Sequence, residues 1–266
     1  MNIYLRELAV NRRSLVIWST LLAGLGILMM GFYPTIAKEA ETLEKLIAVM
    51  PKGLLAAFGL EKISMTDLLG FYATKHYLTI TLLGSIYAIM LSSGILSKEE
   101  SEKTIEFLLS KPISRSEIVT SKLLSFVTIL IALNVLVSLV MYITLQAVKI
   151  EDFSIKLFVL LSLAPLLLHL TFASVGFLVS VFVTNSKTIL SVSVGIVLVT
   201  YFLSIASTLS DKLGFLKYLS PFKYVDAVDI LTSARIDPVY LAVMAGIFAA
   251  AVMLTFVFYN RKNITT

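Results

Sequence analysis

Six long apolar runs recur along the chain, separated by shorter polar stretches. They cover residues 14–33, 76–96, 123–148, 157–183, 188–209 and 239–259. Because roughly 20 helical residues cross a bilayer core about 30 Å thick, each run is long enough to span a membrane. Lipid offers no hydrogen bonds to an exposed backbone, which favours helices. The pattern therefore predicts an all-α polytopic membrane protein with six transmembrane helices.

The composition agrees with this prediction and excludes several other classes. Hydrophobic residues make up 58% of the 266 positions and charged residues only 15%, unlike a soluble globular domain. The chain has no cysteine, so disulfides and thiolate chemistry are excluded. Its net charge of +5 comes from basic residues dispersed at the ends of apolar runs, which indicates membrane orientation and not nucleic-acid binding. With no repeat or soluble insertion, residues 1–266 are expected to form one membrane domain.

Three segments outside the spans have a pattern of their own. Residues 1–13 predict an amphipathic helix lying in the membrane interface, with Glu7 on its polar face and Arg6, Arg12 and Arg13 near lipid phosphates. A cleaved signal peptide is less favoured, because a full-length span follows without a cleavage-site pattern. Residues 34–75 form an outer loop with an amphipathic helix over 37–50, and residues 210–238 form a broken outer segment.

Orientation rests on the distribution of positive charge. Lys and Arg are equally frequent on the two sides of a six-span topology, but the side of the termini carries them in fewer residues. The first span, which usually dominates, follows Arg6, Arg12 and Arg13. Both termini and residues 97–122 are therefore expected in the cytoplasm, in a multi-pass protein of a prokaryotic plasma membrane.

The polar candidates inside the apolar spans are Asn134 and His169, besides Gln146 near a span end and scattered Ser and Thr. A polar or ionisable side chain in lipid is costly, so this pair is a candidate functional site. The alternative is structural: His169 follows Pro165 by one turn and can bond a carbonyl that this proline frees. His76 stands at the edge of a span and is expected to be an interface residue.

An enzymatic alternative uses Glu99, Glu100 and His169 as an intramembrane metalloprotease-like site. The signal is weak, because Thr104 stands where such a protease has an arginine and no set of three or four metal ligands is evident. No metal site and no catalytic residue is predicted on this basis. The phosphate-binding pattern GxxxxGK[ST] is absent, so the chain is expected to bind no cofactor and not to hydrolyse ATP by itself.

The polar run 97–122 has the most ordered pattern in the chain. Read as a helix, it places Ile105, Leu108 and Leu109 on one stripe, with charged residues opposite. Pro112 ends this helix, and Ser114 with Glu117 forms a capping box for the next one. An amphipathic helix between two spans is suited to contact another protein.

This run resembles the cytoplasmic loop of permease subunits in type-2 ABC exporters, where a pattern E-x-E-[KR]-G-T-[IL]-E-x-LL-x-x-P-[IV]-S-R-x-E-I-x-x-[GS]-K recurs between spans 2 and 3. Lys103 replaces the usual glycine, and Ser121 stands where glycine is common. The matching residues are Glu100, Glu102, Thr104, Ile105, Glu106, Leu108, Leu109, Pro112, Ile113, Ser114, Arg115, Glu117, Ile118 and Lys122.

The resemblance implies a function for the loop. Its helix around 104–109 is similar to the coupling helix that docks on a separate ATPase subunit carrying ATP and Mg, and Arg115 and Lys122 are expected to hold the loop to lipid phosphate or neighbouring carboxylates. A second permease copy or a similar permease and membrane lipids are further implied partners, with an amphiphilic cargo such as a peptide antibiotic, drug or lipid-like compound. The residues expected to contact the ATPase are Glu100, Glu102, Thr104, Ile105, Glu106, Leu108, Leu109, Pro112 and Arg115.

Overall fold

Six helices of membrane-spanning length dominate the structure. The computed structural model describes residues 3–51, 53, 55, 63–101, 113–183, 185–209 and 211–262, and no strand occurs in them. The six predicted spans are confirmed. We number them in chain order as span 1 Ile3–Gly31, span 2 Leu68–Ser93, span 3 Arg115–Val148, span 4 Ile155–Phe182, span 5 Ser186–Leu209 and span 6 Pro238–Arg261.

Polar side chains fix where spans 3, 4 and 6 begin. The predicted capping box is confirmed: Ser114 Oγ accepts from Glu117 N at 3.2 Å, and Glu117 Oε2 accepts from Ser114 N at 2.7 Å. Spans 4 and 6 have a single capping bond each: the Ser154 side chain accepts from Leu157 N, and the Asp237 side chain accepts from Val239 N. These bonds satisfy backbone donors that the first helical turn leaves free. Span 3 therefore begins well before its apolar run.

The first 13 residues do not form a separate helix. Span 1 is continuous from Ile3 to Gly31, and the prediction of a distinct interfacial helix over 1–13 is wrong. Neither proline nor glycine interrupts residues 3–23, so nothing breaks the helix before the apolar run. Its 29 residues rise about 43 Å, more than the hydrocarbon core, so its ends project beyond that core. Arg12 and Arg13 are exposed there, and their contact with lipid phosphates stays a prediction.

Span 2 contains a widened turn near its start. Ala73–Tyr77 is π-helical, between α-helical Leu68–Tyr72 and Leu78–Ser93. The extra residue in this turn shifts the helix phase, so that His76 points inward and is fully buried. The expectation that His76 lies at the interface is therefore wrong. Tyr77 Oη, from the same turn, donates to the carbonyl of Val225, between spans 5 and 6, at 2.5 Å.

Spans 2 and 4 form the core of the bundle, and two glycines allow their close approach. The imidazole of His169 occupies the space beside Gly84. A Cβ at Gly176 would lie 2.7 Å from the carbonyl oxygen of Ile89 in span 2. By contrast, only 17% of the most apolar window of span 5 and of span 6 is buried, against 67% for span 2. Spans 5 and 6 therefore present most of their apolar surface outward.

The segments that connect span 1 to span 2 and span 5 to span 6 contain short helices. Tyr33–Lys38 and Ala40–Ala48 follow span 1, the second within the amphipathic helix predicted over 37–50. Asp211–Leu219, Pro221–Tyr224 and Ala227–Ser233 connect spans 5 and 6. Lys223 bridges Asp226 at 2.5 Å and Asp229 at 3.3 Å. Burial lowers the pKa of Lys223, but these two carboxylates outweigh it and leave the pKa raised.

Replacing Gly176 by alanine tests the close packing of spans 2 and 4. The new Cβ meets a backbone carbonyl that cannot rotate away, so Gly176→Ala is expected to cost about 1–3 kcal/mol. Gly195→Ala in span 5 is the matched control, because nothing lies within 4 Å of its added Cβ. The measurement is the unfolding midpoint of each purified variant in detergent. Equal midpoints for the two variants would contradict the packing described here.

Candidate functional site

A cluster of four charged side chains lies where the chain enters and leaves residues 97–122. Lys122 Nζ is fully buried and donates to Glu7 Oε1 at 3.0 Å, Glu99 Oε1 at 3.1 Å and the Ile95 carbonyl at 2.5 Å. Glu7 Oε2 accepts from Lys98 Nζ at 2.5 Å. We call Glu7, Lys98, Glu99 and Lys122 the terminal ion cluster.

The terminal ion cluster is electrically balanced. It contains two ammonium groups and two carboxylates, and each of the three hydrogens of Lys122 has an acceptor. Desolvating an unpaired charge costs several kcal/mol, so a buried lysine persists only with such partners. The Lys98 side chain, 27% exposed, forms the solvent-facing edge of the cluster. The cluster is therefore a closed arrangement whose members depend on one another.

The terminal ion cluster joins three spans. Glu7 belongs to span 1, Lys98 and Glu99 lie in the helix Ser97–Ser101 just after span 2, and Lys122 lies in span 3. Lys122 therefore does not lie at the lipid interface, where it was expected, because its ammonium group is enclosed by protein. The other expectation, contact with neighbouring carboxylates, is what the structure has. The cluster thus fastens span 1 to both ends of residues 97–122.

Arg115 makes a second connection, to the end of span 6. Its Nη1 donates to the carbonyls of Tyr259, Asn260 and Lys262 at 3.3, 3.1 and 2.7 Å. The last carbonyls of a helix lack intrahelical donors and carry partial negative charge, which a guanidinium satisfies. The Asn260 amide also donates to Ser116 Oγ at 3.2 Å. The first turns of span 1, the end of span 6 and the described flanks of residues 97–122 therefore meet at one end of the bundle, which we call the terminal end.

Most of the residues expected to contact an ATPase fall outside the described part of the chain. Of Glu100 the backbone is described and the side chain is not. For these residues, and for an ATPase contact of Arg115, the assignment stays a prediction. Those outside are Glu102, Thr104, Ile105, Glu106, Leu108, Leu109 and Pro112.

The structure brings the two intramembrane polar residues together. Asn134 Nδ2 donates to the Leu130 carbonyl at 2.8 Å and lies 3.0 Å from His169 Nδ1. His169 Nε2 lies 3.1 Å from the Ile80 carbonyl. A carbonyl only accepts, so Nε2 carries the hydrogen of the neutral ring and Nδ1 accepts from Asn134. His169 therefore links spans 2, 3 and 4, and its carbonyl partner belongs to Ile80 instead of a residue freed by Pro165.

The comparison with known families identifies the chain. A family model described as "ABC-2 family transporter protein" matches residues 1–264. The chain belongs to the ABC-2 transporter family. A comparison with curated proteins found no match. This ABC-2 protein is thus a membrane subunit of an ABC transporter, as the pattern in residues 97–122 indicated.

In this ABC-2 subunit, Glu99 and His169 do not come together to form the alternative metalloprotease-like site. Glu99 pairs with Lys122 at the terminal end, whereas His169 packs beside Gly84. His169 therefore lies at the level of Gly84, whereas Glu99 comes after the end of span 2 at Ser93. The nine residues from Gly84 to Ser93 alone extend about 14 Å along the helix axis. No group of three His, Asp or Glu residues suited to a metal occurs in the described ranges. The hypothesis that Glu99 and His169 share one site is therefore wrong.

Two members of the terminal ion cluster, Glu7 and Lys98, were not among the predicted site residues of the ABC-2 subunit. Glu7 was placed on the polar face of the first helix, yet it follows buried Ile3 by one turn. Residues one turn apart lie on the same side of a helix, so an acidic residue one turn from a buried apolar residue is expected to face a buried partner. The partner itself, 115 residues away in sequence, has no local signature.

A double-mutant cycle tests the terminal ion cluster. Lys122→Met removes the ammonium group that contacts both Glu7 and Glu99, two buried carboxylates, so a loss of about 3–5 kcal/mol is expected. Glu7→Gln is expected to lower stability as well. The double variant retains a balanced Lys98 and Glu99, so its loss should be smaller than the sum of the single losses. The measurement is the unfolding midpoint of each purified variant.

Glu39→Gln is the control for this cycle, because Glu39 is an exposed acidic residue outside the cluster. Its midpoint should equal that of the unaltered protein. Strictly additive losses for Glu7→Gln and Lys122→Met would show that the two side chains do not depend on one another.

Proposed function

We propose that this ABC-2 subunit is the permease of an exporter in which a separate nucleotide-binding subunit hydrolyses ATP. The observation that carries the proposal is the fixation of both flanks of residues 97–122. The terminal ion cluster holds the two flanks to span 1, and Arg115 holds the second flank to span 6. A segment anchored in this way is suited to transmit a displacement instead of absorbing it.

The coupling helix around 104–109 receives that displacement in the proposed mechanism. Its apolar stripe of Ile105, Leu108 and Leu109 enters a cleft on the ATPase, and glutamates such as Glu106 pair with basic residues at the rim. Closure of the ATPase dimer then pushes on the coupling helix. Because its flanks are fastened, the push moves the terminal ends of spans 1, 2, 3 and 6 together as a rigid body.

The proposed partners rest on a phosphate-binding pattern that the sequence lacks and on apolar surface that the spans expose. Its sequence has no GxxxxGK[ST] pattern, so ATP and Mg belong to the partner subunit. The outward apolar surfaces of spans 5 and 6 support contact with membrane lipids and a second permease. An outer cavity of about 150 Å³, lined by Tyr77 of span 2 and Tyr201 of span 5, supports passage of an amphiphilic cargo along these spans.

The orientation belongs to the same proposal. The terminal end lies in the cytoplasm of a prokaryotic cell, where ATP is available to the partner. The segments that connect span 1 to span 2 and span 5 to span 6 lie on the opposite side of the plasma membrane. The meeting of both termini with the flanks of residues 97–122 at one end supports a common side for all three.

Co-purification with the ATPase tests the proposed contact. Glu106→Lys reverses a charge that pairs at the cleft rim, and Leu108→Asp places a charge in the apolar stripe. Each is expected to reduce recovery of the tagged ATPase at least about tenfold, the effect of losing roughly 1.4 kcal/mol of binding free energy. The ATPase is the one whose gene lies beside that of this chain.

Glu151→Lys is the matched control, because it makes the same charge change in an exposed turn at the opposite end of the bundle. It should recover the ATPase as the unaltered chain does. Recovery that survives both coupling-helix substitutions would overturn the assignment of this contact.

A further inference from the structure

A groove of about 270 Å³ opens between spans 1 and 2 beside the terminal ion cluster. Asn11 and Ser14 of span 1 and Lys98 form its polar end. Trp18 forms its apolar end, where its ring stacks on that of Tyr87 of span 2 with centroids 5.1 Å apart. Because Trp18 follows Asn11 by seven residues, the groove runs about 10 Å along span 1. A polar end followed by an apolar end matches the order of groups in a phospholipid.

The polar end of the groove contains an ammonium group that an occupant can reach. Lys98 lines the groove and its side chain is 27% exposed, in contrast to the enclosed Lys122. Within the described part of the chain its Nζ makes one hydrogen bond, to Glu7 Oε2, which leaves two hydrogens for another acceptor. The half-buried Asn11 amide donates one hydrogen to the Glu7 carbonyl at 2.9 Å and keeps a second. The polar end therefore offers several donors to an acceptor such as a phosphate.

The charge around the polar end favours an anion. The four side chains of the terminal ion cluster balance one another, so they leave the local charge to their neighbours. Arg12 and Arg13, which directly follow Asn11, are exposed. None of the described residues that line the groove carries a carboxylate. Basic side chains at a membrane surface attract anionic lipids, and a charged headgroup makes strong hydrogen bonds to an ammonium group.

We propose that this groove binds one anionic phospholipid of the adjacent leaflet, with its phosphate at Lys98 and Asn11 and one acyl chain against Trp18. Leu91 and Ile95 line the same groove with apolar surface, which suits an acyl chain and not a soluble anion. The site belongs to one chain. It depends neither on the proposed partnership with an ATPase nor on which side of the membrane the terminal end lies.

The test uses the fluorescence of Trp18, because it is the only tryptophan in the chain. The full-length protein is placed in phosphatidylcholine nanodiscs that contain a rising share of a lipid with brominated acyl chains, which quench tryptophan on contact. Brominated phosphatidylglycerol is compared with brominated phosphatidylcholine. Half-maximal quenching is expected at about a tenfold lower share of phosphatidylglycerol, because it alone carries a net negative charge and each nearby basic residue strengthens attraction about fivefold.

Substitutions of Lys98 test the contact with the headgroup. Lys98→Gln removes the ammonium group and leaves the ion cluster with a net negative charge, so the preference for phosphatidylglycerol should be lost. Lys98→Arg keeps a positive donor and should retain the preference. Arg261→Gln is the matched control, because it removes the same charge from an exposed position at the terminal end outside the groove, and it should also retain the preference.

Ser14→Phe separates this site from general attraction to anionic lipid. Ser14 lies one turn from both Asn11 and Trp18, so a phenyl ring there fills the groove between its two ends while every charge remains. The preference should again be lost. Val16→Phe is the control, because Val16 is 57% exposed on span 1 and lies outside the groove, and it should leave the preference unchanged.

Three results would overturn the proposal: coinciding quenching curves for the two lipids in the unaltered protein, a preference that survives Ser14→Phe, or an equal loss of preference in Arg261→Gln and Lys98→Gln. Because Lys98 also bonds to Glu7, the fold of its variants is checked by their unfolding midpoints. Ser14→Phe alters no member of the ion cluster and decides the question even where Lys98→Gln does not fold.

Discussion

The organisation of the terminal end depends on the pairing of one buried ammonium group. Lys122 has no access to solvent, so each of its hydrogens must meet an acceptor from a neighbouring segment. Glu7 comes from span 1, and the Ile95 carbonyl and Glu99 from the region following span 2. Separating these segments would leave a charge in an apolar environment. The cost of that separation ties three helices together at the point where residues 97–122 begin and end.

A second set of contacts holds spans 2, 3 and 4 together in the middle of the bundle. Gly84 and Gly176 bring spans 2 and 4 close, and His169 bonds to span 2 and to Asn134 of span 3. The most apolar windows of spans 5 and 6 are mostly unburied, whereas more than half of the corresponding windows of spans 2 and 4 is buried. The subunit therefore has a core of spans 2 and 4, and spans 5 and 6 offer apolar surface to lipid or to a second subunit.

Local signals in the sequence were sufficient for part of this account. Apolar run length gave the six spans, and the Ser114 and Glu117 spacing gave the start of span 3, because both depend on neighbouring residues only. The continuity of span 1 was missed because amphipathicity was interpreted as a separate helix although no breaker followed it. The burial of His76 depends on a π-helical turn, which no residue pattern announces. The partners of Lys122 and His169 lie in distant segments, so only the fold reveals them.

In the proposed mechanism, spans 1 and 3 move as one body when the ATPase acts. Because the chain has no cysteine, spin labels can be attached at introduced cysteines without background. The most direct measurement uses two pairs of labels at exposed positions, in the complex with and without ATP. The first distance joins Arg12 of span 1 to Thr120 of span 3, and the second joins Thr120 to Leu190 of span 5. We expect the first distance to stay unchanged and the second to change by more than about 2 Å, the scale of shifts between packed helices. A first distance that changes as much as the second would contradict it.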